Sequence, residues 1–401
     1  MVGALLAGAL FLGPAGAVTQ VANHEPHVSA GSGGFSATSL GLVTSTAERL
    51  TNISIGRDGG YSVPVDSRQS FWLFGDTMVR TLDPVSKVLM FSPGSSAAIG
   101  PTSQTQLPTN LREVIPNVGI APVLNKPTMP AFLPKPKATY LRGRKDLCSP
   151  AAGRFSARWP TGTTRLGTSA NILISYVDVC VEGAQTTVEG FGVAAWSSKT
   201  FKYVLAPVDL ATPTSPGKQI NLATIWASPI SAPDGSVDFF SVTDDTTQLG
   251  ASVVRTAHVA KGASLSRLSN YVSRKLRGPL NGSFPGRLLH FAAYPGSTST
   301  SVTYRAIGAQ FSLGTATVSS TNSLTGTWND EGSAALPGCP RPLGTYCWSL
   351  IGHPEMSTST SIVVSYYAPG TIRDYGHIRL ARLSPSPVTP PSTTTTTTVP
   401  A

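Results

Sequence analysis

Two aspartates, Asp58 and Asp76, lie in apolar runs on either side of a polar turn, in GRDGGYSVPVDSRQSFWLFGDTMV. If the turn VPVDSRQS is centred on Ser67, antiparallel pairing places Asp58 opposite Asp76, with Cβ atoms about 4.5–5.5 Å apart on one face. Like charges directly opposite each other destabilise a hairpin, so in a partly dry site one carboxyl keeps its proton. A protonated acid beside an ionised base is what hydrolysis of a glycosidic bond requires.

The pairing of the two aspartates depends on register, because a slip of one residue sends a side chain to the other face. The neighbouring Gly59–Gly60 pair can carry a bulge that has this effect. The structural alternative is that Asp76 caps a turn while Asp58 pairs with Arg57 or another basic residue. We also count Arg57 among the candidate substrate-binding residues.

Three further residues have the chemistry of a sugar site. Arg158 and Trp159 in ARWPTG are candidates because aromatic faces stack on sugars and arginine donates hydrogen bonds to hydroxyls. A tryptophan beside a proline is also an ordinary packing element of a sheet. Asp178 in SYVDVCV alternates with apolar neighbours, so it points either into the site, as a third acid, or out to solvent.

The elements that must position these residues are strands. Only 12% of the 401 residues are charged, while Gly (39) and Pro (33) are abundant. Runs such as NILISYVDVCV, SVDFFSVT and SIVVSYYAPG are rich in β-branched and aromatic residues, and turn residues separate them. Several of these runs repeat as degenerate antiparallel modules, often with a Trp. This pattern favours an all-β, single-domain β-propeller. A pair of β-sandwiches is the alternative fold.

The net charge of +10 permits polyanion binding. The basic residues are scattered, however, apart from KPKATYLRGRK and SRKLR, and no nucleic-acid-binding motif surrounds these groups. We therefore expect a solvated surface and no nucleic-acid partner. No Gly-x-Ser-x-Gly elbow or phosphate-binding loop occurs, and the six His are dispersed. We expect no cofactor, no metal and a monomer.

The termini and cysteines indicate export. Residues 1–17 resemble the core of a secretory signal peptide without its usual basic leader, as in a truncated start. We expect a loose segment over 18–43, the propeller over 44–383 and a disordered Pro/Thr-rich tail over 384–401. We also expect no membrane span and a secreted or cell-surface protein. Local loop closure favours the disulfides Cys148–Cys180 and Cys339–Cys347, although four cysteines allow three connectivities.

The chain resembles a known family. RDGGYS followed by WLFGDT is similar to the opening blade of the domain-of-unknown-function 4185 family. The similarity extends to FSARWPTG with NILISYVDVCV, and to GHPEMSTSTSIVVSYYAPG with GHIRLARL, and so covers about Thr44 to Leu383.

The resemblance implies a five-bladed β-propeller related in architecture to arabinanases and levansucrases. Some members are endo-D-arabinanases of glycoside hydrolase family 183, which cut the arabinan of actinobacterial envelopes. Their two catalytic carboxylates belong to the first blade, and Asp58 and Asp76 are the matching positions. The implied partner is an arabinan-type polysaccharide, and a non-catalytic carbohydrate-binding propeller is the alternative.

His353 and Glu355 in GHPEMS begin what the resemblance identifies as the last blade. The first strand of a propeller blade lines the central channel, so both residues are candidates to orient sugar hydroxyls or to tune a catalytic carboxylate. The structural alternative is a turn stiffened by Pro354, with His353 as a satisfied core residue.

Overall fold

The computed structural model describes residues 34–82, 88–102, 108–121, 129–134, 154–182, 185–211, 227–244, 252–274, 289–298, 300–310, 314–324, 326–339, 347–368 and 376–386. Within these ranges strands dominate. The one α-helix, α1 (Thr46–Thr51), begins at Ser45 with a capping box that Glu48 completes. Single 3-10 turns occupy Leu268–Asn270 and Pro354–Met356. None of the described helices is long and apolar enough to cross a membrane.

The strands form five antiparallel sheets within the described ranges. In chain order the strands are β1 (Phe35–Leu42), β2 (Ile53–Pro64), β3 (Gln69–Thr81), β4 (Val88–Ser92), β5 (Ser96–Pro101), β6 (Arg112–Ile115), β7 (Gly119–Ile120), β8 (Arg154–Arg165), β9 (Asn171–Glu182), β10 (Gln185–Ser197), β11 (Lys202–Ala211), β12 (Ala227–Ser231), β13 (Val237–Asp244), β14 (Ser252–Val259), β15 (Val272–Arg274), β16 (Leu289–Pro295), β17 (Val302–Gln310), β18 (Thr315–Thr321), β19 (Asn329–Ala335), β20 (Trp348–Gly352), β21 (Ile362–Ala368) and β22 (His377–Pro385).

The five sheets are the blades of a β-propeller, as the sequence predicts. Blade 1 has the order β2-β3-β5-β6-β7, with β4 paired to β3, and blade 2 runs β8-β9-β10-β11. Blades 3 and 4 run β12 to β15 and β16 to β19, and blade 5 has the order β20-β21-β22-β1. The innermost strands β2, β8, β12, β16 and β20 contact one another in circular order, and β20 returns to β2, so the ring is closed.

The N-terminal strand completes the last blade, which corrects the predicted domain boundaries. Phe35 of β1 pairs with Pro385 of β22, so part of the segment expected to be loose (18–43) is the outer strand of blade 5. Pairing with β1 covers the backbone groups that the edge of β22 would otherwise expose. The blade also extends two residues beyond 383. The signal-like segment 1–17, residues 18–33 and the tail 387–401 lie outside the described residues.

Each junction between neighbouring blades has its own buried apolar cluster. Phe71 and Trp196 belong to the cluster between blades 1 and 2, and Phe240 stacks on Phe291 between blades 3 and 4. Separate clusters fill the junctions of blades 2 and 3, of 4 and 5, and of 5 and 1. Because these clusters hold the blades together, the innermost strands are free to present polar side chains to the axis.

One of the two predicted disulfides is confirmed. Cys339 and Cys347, eight residues apart, are joined just before β20. The other predicted pairing involves Cys148, which lies outside the described residues.

Candidate active site

The β2–β3 hairpin has the predicted register on both sides of a bulge. Val65 pairs with Gln69 across the turn, and Ser62 with Trp72 and Arg57 with Thr77 along the strands. Between Arg57 and Tyr61 the register shifts twice. The first shift sets Gly75 and Asp76 of β3 against Asp58, and the second leaves Gly60 of β2 without a partner, so the bulge involves both strands. Gly59 and Gly60 have φ values of +72° and +141°, which side chains disfavour.

The bulge separates the two aspartates, and the predicted face-to-face pairing is wrong. A Cβ built on Gly75 would lie 3.6 Å from the Cβ of Asp58, so Gly75 occupies the position opposite Asp58. Asp58 is hydrogen-bonded to blade 5 and Asp76 to blade 2. Trp72 and Phe74 pack in the blade 5 junction and do not share the face of Asp76. The two like charges are thus directed to opposite neighbouring blades.

Asp58 is a partly exposed residue, and the described residues anchor its carboxylate through one oxygen. Its Oδ1 accepts hydrogen bonds from Trp348 Nε1 (2.9 Å), Ser349 Oγ (2.9 Å) and the backbone N–H of Gly59 (2.6 Å). No described residue donates to Oδ2. Ser349 adopts a left-handed φ of +54°, which places its hydroxyl on Asp58 at the start of blade 5.

The Asp76 carboxylate repeats this arrangement toward blade 2. Its Oδ1 accepts from Trp159 Nε1 (2.8 Å) and from the backbone N–H of Gly94 (2.6 Å). Within the described residues Oδ2 again receives no donor. Asp76 is only 2% exposed, so it is the more buried of the two acids.

Both carboxyls have raised pKa values. Desolvation raises the pKa of Asp58 above its usual range, against the effect of its three hydrogen bonds. Desolvation also raises the pKa of Asp76 to about 7, and the negative charge of Asp58 adds to the shift. The two acids therefore interact electrostatically although they point to different blades. Such a pair can hold one proton near neutral pH.

The basic residues near the site are paired with other acids. Arg57 is buried, forms an ion pair with Glu113, and lies over the Phe74 ring at 4.3 Å. Within the described residues no basic side chain forms an ion pair with Asp58 or Asp76. The alternative in which Arg57 neutralises Asp58 is therefore wrong, and substrate binding by Arg57 stays a prediction.

Arg158 and Asp178 form a buried cluster on the blade 1 side of β8. Arg158 Nε lies 2.8 Å from Asp178 Oδ1, and its Nη2 lies 2.8 Å from Asp209 Oδ1. Tyr176 also donates to Asp209. Burial raises the pKa of Asp178 to about 7, against the effect of Arg158. This cluster holds the strand whose next residue, Trp159, reaches Asp76.

His353 and Glu355 form a second buried cluster, between blades 5 and 1. Ser62 Oγ donates to Glu355 Oε1 and lies 2.5 Å from His353 Nδ1. Burial lowers the pKa of His353 to about 3, so its ring is neutral, and burial raises the pKa of Glu355. His353 is 0% exposed and packs on Trp72, so it is a core residue. It is not the satisfied core residue of the predicted alternative, because its buried Nε2 has no hydrogen-bond partner among the described residues. Contact with substrate stays a prediction for both residues.

Three residues that hold the two acids, and one histidine on blade 4, were not predicted as site residues. Trp348 and Ser349 hold Asp58, and Gly94 holds Asp76. His290 on β16 accepts the Gly352 N–H at Nδ1 (3.1 Å), which leaves Nε2 as the protonated nitrogen of a ring whose pKa burial lowers to about 4. The ring lies 5.8 Å from that of Tyr61. The contacts of Trp348, Ser349 and His290 join separate blades, while Gly94 reaches Asp76 from the β4–β5 turn of the same blade, and no spacing in the sequence signals any of them.

Comparisons with known proteins return similar folds at low identity. No family model matches the chain, and no curated protein sequence matches it. A candidate hydrolase from Bacteroides ovatus is 13% identical, with 86% of this chain and 87% of that one covered and a TM-score of 0.49.

Two further solved structures are an arabinanase of Bacillus subtilis and a β-xylosidase/α-arabinofuranosidase from a compost metagenome. The arabinanase is 10% identical, with 82% and 97% coverage and a TM-score of 0.41. The second enzyme is 10% identical, with 87% and 95% coverage and a TM-score of 0.42.

Proposed function

We propose that the chain is a glycoside hydrolase whose acid and base are Asp76 and Asp58. The observation that carries this proposal is the pair of blade 1 carboxyls, Asp58 and Asp76, which accept hydrogen bonds from the described residues through Oδ1 only. Both have raised pKa values, and no described basic residue is paired with either. Carboxyls that are desolvated without a cationic partner suit proton transfer better than they suit a structural role.

The two acids differ in the ways that their roles require. Asp76 is the more buried and has a pKa of about 7, so it keeps a proton to donate to the leaving oxygen as the glycosidic bond breaks. Asp58 is partly exposed and accepts three hydrogen bonds that favour its ionised form. It takes a proton from the water that attacks the anomeric carbon, or attacks that carbon itself. The stereochemistry of the product distinguishes these two routes.

The proposed substrate is a furanose-rich envelope polysaccharide, and D-arabinan cleaved within the chain is our first choice. The support for this choice is the resemblance of RDGGYS and WLFGDT to the domain-of-unknown-function 4185 family, some of whose members are endo-D-arabinanases. A secreted protein with the disulfide Cys339–Cys347 would meet such a polymer outside the cell.

The test is release of oligosaccharides from purified D-arabinan by the wild type and by Asp58→Asn and Asp76→Asn. Each substitution should lower kcat by about 10²- to 10⁴-fold, the usual contribution of an acid or base. The matched control is Asp66→Asn, which changes an exposed carboxyl in the turn of the same hairpin and should retain full activity. No release by the wild type, with equal binding of the polymer by all variants, would leave the binding propeller as the better account.

A further inference from the structure

An aromatic pair with one exposed member joins β4 of blade 1 to β8 of blade 2. Phe91 of β4 is 39% exposed, and its ring meets that of Phe155 of β8 edge-to-face, with centroids 5.8 Å apart. Phe155 is partly buried. Leu89, two residues before Phe91 on β4, is 38% exposed.

Both rings connect to the Asp76 carboxylate by short stretches of chain. Phe91 pairs with Met78, two residues along β3 from Asp76, and is three residues before Gly94, which donates to that carboxylate. Phe155 is four residues before Trp159, the other donor to Asp76. At about 3.3 Å per residue of extended chain, Phe91 and Phe155 lie at most roughly 10–13 Å from the residues that donate to the acid. Two independent strands thus place the aromatic surface beside the same carboxyl.

We propose that Phe91 and Phe155 form a subsite for the saccharide chain on one side of the cleaved bond. This inference rests on the proposed function. Aromatic rings stack on the apolar faces of sugar rings, and an exposed apolar surface continuous with a site marks the place where its ligand extends. Gly94 and Trp159 stand between the aromatic pair and Asp76 along the two strands, so the subsite lies beyond the sugar ring being cleaved and selects for a polymer over a single glycoside.

The experiment compares kcat/KM on D-arabinan with kcat/KM on a synthetic aryl arabinofuranoside, which is too short to reach the aromatic pair. Phe91→Ala should lower the value on D-arabinan by about three- to tenfold, mainly through KM, and leave the aryl furanoside unchanged. Phe91→Tyr keeps an aromatic face and should behave like the wild type. Val204→Ala is the matched control, because Val204 is also exposed (55%) but lies on the outer strand of blade 2.

The outcomes separate the two proposals. Equal effects of Phe91→Ala on both substrates, or no effect on either, would overturn the subsite while the hydrolase stands. The subsite would also be overturned if Phe91→Ala dissociates a dimer without changing the kinetics on the polymer. The aromatic pair would then bind a second copy of the chain. A wild type inactive on every arabinan would overturn the proposed function, and the subsite with it.

Discussion

Trp159 Nε1 lies 2.8 Å from Asp76 Oδ1, so the innermost strand of blade 2 holds an acid of blade 1. Trp348 of blade 5 does the same for Asp58 at 2.9 Å. The blade that carries both acids is therefore fixed from each side by an indole N–H. Each carboxylate also accepts a backbone N–H from its own blade, Gly59 for Asp58 and Gly94 for Asp76. An indole donates but cannot accept, so each contact favours the ionised carboxylate. The indoles oppose the desolvation that raises both pKa values.

The two indoles should control opposite limbs of the pH–rate profile. Trp159→Phe removes a hydrogen bond from ionised Asp76, raises its pKa, and should move the alkaline limb of kcat/KM upward by about one pH unit. Trp348→Phe should instead move the acidic limb upward, because Asp58 must be ionised to act as the base. The measurement is kcat/KM from pH 4 to 10. Movement of the same limb in both variants would contradict the assigned roles.

The role of Asp76 as the acid predicts a dependence on the leaving group. An aryl furanoside with a strongly acidic phenol needs no proton from the enzyme, so Asp76→Asn should cleave it at nearly the wild-type rate while losing activity on D-arabinan. Asp58→Asn should lose both activities, because the base is needed for either substrate. The reverse result, with Asp58→Asn keeping activity on the activated substrate, would exchange the two roles.

The register of the first hairpin was predictable because apolar alternation and a polar turn are local signals. The face of Asp76 was not, since two glycines allow a bulge without requiring it. Partners far apart in sequence were equally hidden. Arg57 pairs with Glu113 and not with the adjacent Asp58, and Trp348 reaches Asp58 across the closure of the ring.

The ring closure itself also lacks a local signal. Phe35 pairs with Pro385 near the other end of the described chain, and a short strand without a neighbouring hairpin partner looks like a loose segment in the sequence. The number of blades followed from the resemblance, while the degenerate modules alone favoured only a propeller of unspecified size. The fold was thus predictable where neighbouring residues determine it, and the site was not, because separate blades assemble it.

Gly352, at the end of β20, should tolerate no side chain. A Cβ there would lie 1.7 Å from the Tyr294 hydroxyl oxygen and 2.5 Å from Ile307 Cδ1. Gly352→Ala must therefore shift β20 or blade 4, and it should lower the free energy of unfolding by about 2 kcal/mol or more. Chemical denaturation measures the change. Gly34→Ala, whose new Cβ would have its nearest contacts at 3.8 Å, should be close to neutral.

The same shift should weaken the site, because the N–H of Gly352 fixes His290 and β20 also carries Ser349. Activity should fall at temperatures well below the melting point of the variant. A Gly352→Ala protein with wild-type stability and activity would show that the junction of blades 4 and 5 repacks freely.

Asp76 should limit stability at alkaline pH. Its pKa rises from 3.8 in the unfolded chain to about 7 in the folded one, so the folded state binds this proton more tightly. The stabilisation from the protonated carboxyl is complete below pH 3.8 and is lost as pH rises through 7. Asn keeps the Oδ1 acceptor for Trp159 and Gly94 without the charge. Asp76→Asn should therefore gain up to about 4 kcal/mol relative to the wild type between pH 4 and pH 8.

Urea denaturation of both proteins across this pH range measures the difference. Other carboxyls with raised pKa values, such as Asp178, titrate in both proteins, so most of their contribution cancels. The control Asp66→Asn should show no such gain, because its carboxyl is exposed in the turn. A difference that stays flat with pH would mean that Asp76 is ionised in the folded protein throughout, and it would remove the physical basis for its role as the acid.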